Sequence, residues 1–174
     1  MLSEELISSK SIIIRTSSKE DLEFVLMAEQ DPKNNKYIIR WSELEHLDAM
    51  NNKDKIHMII ESTDNGKVGF CILSGLSNKN GCIELIRIVI VKKGNGYGKE
   101  SINLLQKYVF EKLKAHRFWL DVKEHNYRAR ELYENRGFVI EGNLREALKS
   151  EKGYESLVIM GMLETEYNKI QRKL

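Results

Sequence analysis

Apolar residues recur along the chain with two periods, and each change of period marks an element. Ser11–Thr16 (SIIIRT) is a β-branched run that predicts a first strand. Ser18-Lys19-Glu20-Asp21 has the form of a capping box, and Leu22, Val25, Leu26 and Glu29 follow at helical spacing. That helix stops near Asp31-Pro32, because a proline inside a helix costs about 3 kcal/mol. A second capping box, Ser42-Glu43-Leu44-Glu45, opens a short helix with Leu44, Leu47 and Met50 as its apolar face. Ile56–Ser62 and Lys67–Ser74 read as paired strands around Asp64-Asn65-Gly66, a turn sequence that tolerates positive φ. Cys82–Val91 (CIELIRIVIV) is the longest apolar run and predicts a central buried strand.

The second half alternates. Lys92–Gly98 (KKGNGYG) is a glycine-rich loop, and residues 99–115 put Ile102, Leu105, Val109 and Leu113 on one helical face. Arg117–Lys123 predicts a strand. Asn126–Arg136 predicts a helix with Ala129, Leu132 and Tyr133 inward, closed by Gly137 as its left-handed cap. Phe138–Leu148 and Tyr154–Leu163 predict two strands around a turn at Ser150–Gly153, and the charged tail 164–174 predicts a frayed helix. This order is that of a mixed α/β domain with one sheet, spanning 1–174 without a linker or repeat.

Composition narrows the class. With 174 residues, the chain has the length of one domain and buries enough surface to fold without a disulfide or metal staple. Its 28 basic and 26 acidic residues leave a formal charge of +2, too little for a strongly basic nucleic-acid binder. Cys71 and Cys82 are eleven residues apart, without the spacing of a zinc or redox pair, and read as buried thiols of a reducing compartment. Met1–Lys10 (MLSEELISSK) lacks the apolar centre of a secretory signal, and no apolar run reaches the ~18–20 residues of a membrane span. The expectation is a cytoplasmic protein with no membrane and no nucleic-acid partner.

The glycine loop carries the sharpest chemical signal. It fails the Walker pattern, because Gly98-Lys99 is followed by Glu100 rather than Ser or Thr. It also fails the dinucleotide fingerprint, because Lys99 stands where the third small residue belongs. What remains is a strand, a loop with Gly94, Gly96 and Gly98, and a helix start, where backbone amides and the helix dipole favour an anion. Lys92, Lys93 and Lys99 add local positive charge, so one diphosphate suits the loop.

Two stretches resemble the GCN5-related N-acetyltransferase (GNAT) superfamily. The loop Lys93-Gly94-Asn95-Gly96-Tyr97-Gly98 is similar to the family's Gln/Arg-x-x-Gly-x-Gly/Ala, with Lys93 in place of Gln or Arg. Leu120-Asp121-Val122, followed by Asn126 to Phe138 (NYRARELYENRGF), resembles L-x-V…N-x-x-A-x-x-L-Y-E-x-x-G-F. Glu141–Glu146 (EGNLRE), with Tyr154 beyond it, resembles the branch that acetylates ribosomal-protein N-termini or polyamines. The resemblance implies acetyl-CoA as co-substrate, a primary amine as acceptor and no metal. It implies a mostly antiparallel sheet whose splayed, bulged fourth strand is Cys82–Val91. It assigns thioester and pantetheine contacts to the amides of Ile86 and Ile88, the pyrophosphate to amides of Gly94, Asn95, Gly96, Tyr97, Gly98 and Lys99 beside Lys93, and a pantetheine contact to Asn126. Tyr133 would stand by the sulfur.

The chemistry of amide formation then asks for an acid and a base. Tyr133 is the candidate acid for the departing thiol, and Glu84, two residues from Ile86, the candidate base for an alkylamine that is mostly protonated near neutral pH. His125 is a second candidate base, and His57 and Trp41 are candidate walls of the acceptor pocket. Glu43, Glu45 and Asp48 share one helix, where a solvated face competes with polyamine binding. The expected acceptor is a small amine such as a polyamine. A peptide N-terminus, or a weakly catalytic acyl-CoA sensor, are the rival readings, and a homodimer is open.

Overall fold

The computed structural model describes residues 3–151 and 153–173. Lys152 in the last predicted turn, Met1 and Leu2 of the N-terminal stretch, and Leu174 of the tail lie outside the described residues. The first half holds strands β1 (Glu5–Ser8) and β2 (Ile12–Thr16), a 3₁₀ turn at Lys19–Asp21, helices α1 (Leu22–Gln30), α2 (Pro32–Asn35) and α3 (Glu43–Asn51), and the hairpin β3 (Lys55–Ser62) and β4 (Gly66–Ser74). The second half holds β5 (Cys82–Ile90), α4 (Tyr97–Lys107), β6 (Arg117–Lys123), α5 (Tyr127–Glu134), β7 (Val139–Ser150), β8 (Gly153–Leu163) and α6 (Glu164–Gln171). The eight strands form one sheet in the order β1-β2-β3-β4-β5-β6-β8-β7. Every pair is antiparallel except β5–β6, which is parallel. This is the mixed α/β sheet expected from the order of elements.

Two apolar layers sandwich the sheet. On one side Ile60, Leu105, Val109, Phe118 and Leu120 pack under α4 and α5. On the other, Ile59, Phe70, Ile72 and Val89 pack under Val25 and Ala28 of α1. Adjacent residues Ile59 and Ile60 therefore serve opposite layers, as a strand's two-residue period requires.

The structure departs from the sequence reading at several places. Strand β1 was not expected: it is a short charged edge in which only Ile7 is buried. The apolar run Cys82–Ile90 is the fifth strand rather than the fourth, because β1 precedes it. The inward face of α3 is His46 and Ala49, whereas Leu44 is exposed. Polar contacts, not the apolar period, decide how that helix sits. The expected frayed tail forms α6, anchored by Tyr167, which stacks on Phe110 with ring centres 4.9 Å apart and donates to Glu111 at 2.7 Å. Phe110 lies in a π-helical turn at Tyr108–Lys112, and that widened turn buries three consecutive residues, Tyr108, Val109 and Phe110. Of the two thiols, Cys71 is buried as expected and Cys82 is half-exposed.

Beneath α3 lies a row of buried polar groups. Ser17 Oγ is 2.7 Å from His57 Nδ1, and His57 Nε2 is 3.1 Å from His46 Nδ1. Burial, then the neighbouring His46 and Arg87, push the His57 imidazole down to about 3. It is therefore neutral when folded, while an unfolded histidine titrates near ~6.5. The unfolded chain binds the extra proton between these values, so stability is level above pH ~6.5 and falls as pH drops, by up to about 1.4 kcal/mol per unit. Chemical denaturation at pH 7.5, 6 and 5 is expected to show this slope, and His57→Gln to flatten it. An equal slope in the variant would assign the acid sensitivity to other groups.

Candidate active site

The site begins where the sheet stops pairing. Strands β5 and β6 are joined only from Cys82↔Arg117 to Glu84↔Trp119, and beyond Glu84 they diverge. At the same point β5 bulges. Leu73 of β4 faces Leu85, Ile72 faces Arg87, and Ile86 is the extra residue. The bulge shifts the side-chain phase by one: Ile83 and Leu85, then Ile88 and Ile90, join the layer under α4 and α5, while Ile86 and Val89 join the other. Backbone groups of β5 past Glu84 that would have bonded to β6 face the split instead. A cleft of about 620 Å³ runs through the split, and Ile86 and Ile88 both line it.

One end of the cleft is built for an anion. Gly96 caps α4 with φ +78° and Gly94 has φ +88°, backbone conformations that favour glycine. The first-turn amides of α4 have no acceptor within the helix and open toward the cleft. Lys92, Lys93, Gly94, Gly96, Tyr97, Gly98, Lys99 and Asn126 all line it. Asn95 does not, because its side-chain amide is turned to the Lys92 and Lys93 carbonyls at 3.5 and 3.3 Å. The phenol of Tyr97 points away to Asn65, which donates to it at 2.7 Å. Glu100, the residue that spoils the Walker pattern, accepts from Ser11 at 2.7 Å and from Ser9, so its charge faces the β1–β2 turn. Asn126 caps α5 by accepting from Ala129 N–H at 3.4 Å. Arg128, on the first turn of α5, also lines the cleft and was missed as a binding residue. Lys93 donates to the Lys33 carbonyl at 2.7 Å, and burial and Arg128 lower its basicity.

At the mid-point of the cleft stand Tyr133 and Asp121. Tyr133 is buried against Phe138, with ring centres 5.8 Å apart, yet lines the cleft. Burial, then Asp121, hold its phenol far above the usual tyrosine range, so it keeps its proton. Asp121 lies on β6 past the last β5 pair, exposed into the cleft, and partial desolvation by the cleft walls raises its carboxyl. Glu84, the expected base, is half-buried at the last paired position and is not among the cleft-lining residues. Burial, then Asp121, raise its carboxyl, and Lys55 opposes them. The structure thus puts Asp121 in front of Glu84. Its sequence signal was the middle position of Leu120-Asp121-Val122, passed over as a spacer.

The far end is walled by Tyr37, Ile38, Ile39, Trp41, Glu45 and Arg87. Of the three acids on α3, only Glu45 reaches the lining, and it also closes the capping box with Ser42 at 2.7 Å. His57 packs in the buried row, and His125 is exposed beside Tyr37, so neither lines the cleft. Among the described residues no helix is long and apolar enough to cross a membrane.

Comparison with known proteins follows the same outline. The family model described as an acetyltransferase (GNAT) domain matches residues 11–139. The spermidine N(1)-acetyltransferase of Vibrio cholerae serotype O1 is 28% identical over an alignment of 178 positions that covers 91% of this chain and 96% of that protein. A probable spermine N(1)-acetyltransferase of Bacillus subtilis subsp. natto is 38% identical over 69 residues, 38% of this chain and 45% of that one. The solved structure of spermidine N-acetyltransferase from Vibrio cholerae in complex with CoA and spermine matches with a TM-score of 0.82 at 25% identity, over 92% of this chain and 99% of that one.

Two loop glycines are expected to respond oppositely to alanine. A Cβ on Gly96 meets open space but must adopt φ +78°, which costs an L-residue about 1–2 kcal/mol. A Cβ on Gly98 meets Leu132 at 3.6 Å and Ile90 at 3.8 Å, in ordinary contact. There a helical alanine gains up to about 1 kcal/mol over glycine. Urea denaturation should therefore rank Gly98→Ala at or above the wild type and Gly96→Ala below it; the reverse order would refute the left-handed cap.

Proposed function

The chain belongs to the GNAT acetyltransferase family and is an acetyl-CoA-dependent N-acetyltransferase, and we propose that its acceptor is a primary amine of a polyamine. The observation that carries this reading is the shared cleft. An amide-rich, lysine-flanked cradle occupies one end, Tyr133 and Asp121 the middle, and an aromatic wall with Glu45 the other. The cradle suits a diphosphate, because no side chain stands at Gly94 or Gly96, where a Cβ would meet open space, and lysines flank the loop. The acids Asp121 and Glu45 favour a polycation over a peptide N-terminus, whose chain carries no obligatory second ammonium. The cytoplasm is the compartment that suits the free thiols of Cys71 and Cys82.

The roles follow from placement. The cradle amides and Lys93, Lys99 and Arg128 hold the diphosphate, and Asn126 and the open edge at Ile86 and Ile88 hold the pantetheine arm and polarise the thioester carbonyl. An alkylammonium near pKa ~10.4 must lose a proton before its nitrogen can attack. Asp121 faces that nitrogen and takes the proton, and Glu84 behind it is the second carboxylate over which the proton can spread. When the nitrogen has attacked and the carbon–sulfur bond breaks, Tyr133 gives its proton to the sulfur and is restored by the second proton that the new amide nitrogen sheds. Both steps are general acid–base catalysis, each worth about 10²–10⁴ in rate where proton transfer limits turnover.

The test is thiol release by purified protein across spermidine, spermine, other alkylamines and N-terminal peptides. Turnover confined to polyamines is expected. Peptide turnover alone would support the N-terminal reading, and acetyl-CoA binding without turnover the sensor reading. Tyr133→Phe is expected to lower kcat by at least about tenfold while acetyl-CoA affinity stays within about twofold. Asp121→Asn should lower kcat/KM more than Glu84→Gln does; the opposite order would give the base role to Glu84. Because both carboxyls are raised, and the base acts deprotonated, kcat/KM should climb with pH through a value above the ordinary carboxylate range.

A further inference from the structure

The wall at the acceptor end is not held by secondary structure. Residues 36–42 form an irregular segment between α2 and α3, and Tyr37, Ile38, Ile39 and Trp41 of it line the cleft. Without a ladder or helix, such a segment needs side-chain anchors to keep one shape. Lys123 holds the Lys36 carbonyl at 3.1 Å and Lys55 lies over the Trp41 ring, but the anchors at the middle of the segment lead to Arg87 and its partner Glu29. Arg87 Nη2 donates to the Ile39 carbonyl at 2.5 Å, and its guanidinium lies 4.6 Å from the centre of the Trp41 ring. Its Nη1 pairs with Glu29, which is only 1% exposed. The other oxygen of Glu29 accepts from the Trp41 amide at 2.9 Å. Behind Glu29 stands His46, 3.4 Å away, and then the His57–Ser17 row.

Arg87 reaches this position because of the bulge. It is the residue immediately after the extra Ile86. In a regular strand, 86 and 87 would point to opposite faces. Here Ile86 packs in the layer under α1, and Arg87 binds Glu29 of α1 and Trp41 on that same side. One irregularity therefore both opens backbone amides to the cleft and aims Arg87 at the acceptor wall. Glu29 compensates the guanidinium, so the wall presents Glu45, with Asp121 beyond it at the mid-point, rather than a net positive charge to an incoming ammonium.

We propose that Arg87, held by Glu29, is a positioning residue that fixes the 36–42 segment and so sets affinity for the acceptor amine, without a part in acetyl-CoA binding. In its kinetic arm the proposal rests on the amine-acetylating reading above.

The variants separate position from stability. Arg87→Lys keeps a cation for Glu29 but cannot span both Glu29 and the Ile39 carbonyl or stack its charge in plane on Trp41. Arg87→Met with Glu29→Leu removes the buried pair as a unit, a change that often leaves a fold neutral or more stable, whereas Arg87→Met alone strands a buried carboxylate. In both test variants KM for spermidine is expected to rise about tenfold or more, with acetyl-CoA Kd from calorimetry within about twofold. Hydrogen exchange on Arg87→Lys, which keeps Glu29 as the acceptor of the Trp41 amide, supplies a readout that needs no amine: that amide should exchange at least about tenfold faster, with the β3–β4 amides unchanged. Faster Trp41 exchange in a protein that acetylates no amine would uphold the anchoring and overturn the activity reading. Unchanged spermidine KM and unchanged Trp41 exchange in folded Arg87→Lys would overturn the proposal. So would a parallel loss of acetyl-CoA affinity.

Discussion

Strand β5 can bond to β6 for only three residue pairs, and the site is a consequence of that limit. A parallel neighbour normally consumes the edge amides of a strand. Past Glu84 those groups have no strand to meet, and a buried backbone donor without a partner is costly. A bound ligand that accepts from them removes that cost, so the unpaired edge is itself a binding surface. The bulge at Ile86 falls within the same stretch and is not an independent ornament. It rephases the strand so that apolar residues still cover both layers while the edge turns toward the split.

The remaining elements hold the two halves of the sheet at that separation. Phe118, Leu120 and Phe138 pack β6 into the layer under α4 and α5, and Ile72 and Val89 pack β4 and β5 into the layer under α1, so the sheet is covered on both faces on either side of the split. Helices α4 and α5 start near its rim, and both starts, Gly96 and Asn126, are capping positions. Two helix N-termini therefore point their unpaired amides at one region. A net charge of only +2 is therefore compatible with an anion site: each helix start contributes about half an elementary charge, and Lys92, Lys93, Lys99 and Arg128 add positive charge locally.

Much of this was legible in the residues. Strand and helix periods located every element but the shortest strand, β1, and the one-turn helix α2, and the glycine loop, Asn126 and Tyr133 could be read from their spacing and lie on one cleft. What escaped is what depends on pairs distant in sequence. Glu29 reads as a polar position on an amphipathic helix until Arg87, 58 residues away, meets it. His46 and His57 read as unrelated until α3 lies across β3. Asp121 reads as a spacer until the splay leaves it facing open space. Leu44 was assigned inward by period alone, but on α3 the buried polar contacts of His46 outweigh one leucine's burial. Local pattern reports the period of an element and not which of two near-equal faces tertiary contacts select.

The buried polar row bears on the difference between the two ends of the cleft. At the phosphate end, geometry is set by backbone: glycine φ angles and helix starts, which change little with side-chain chemistry. At the acceptor end it is set by side chains: an arginine on a bulge, a glutamate on α1 and two histidines behind it. A backbone site preserves recognition of one invariant group, whereas a side-chain site can be retuned by single substitutions. On the proposed reading, that asymmetry leaves the donor end fixed by the backbone and makes the residues that brace the 36–42 segment the place where acceptor preference can be tuned.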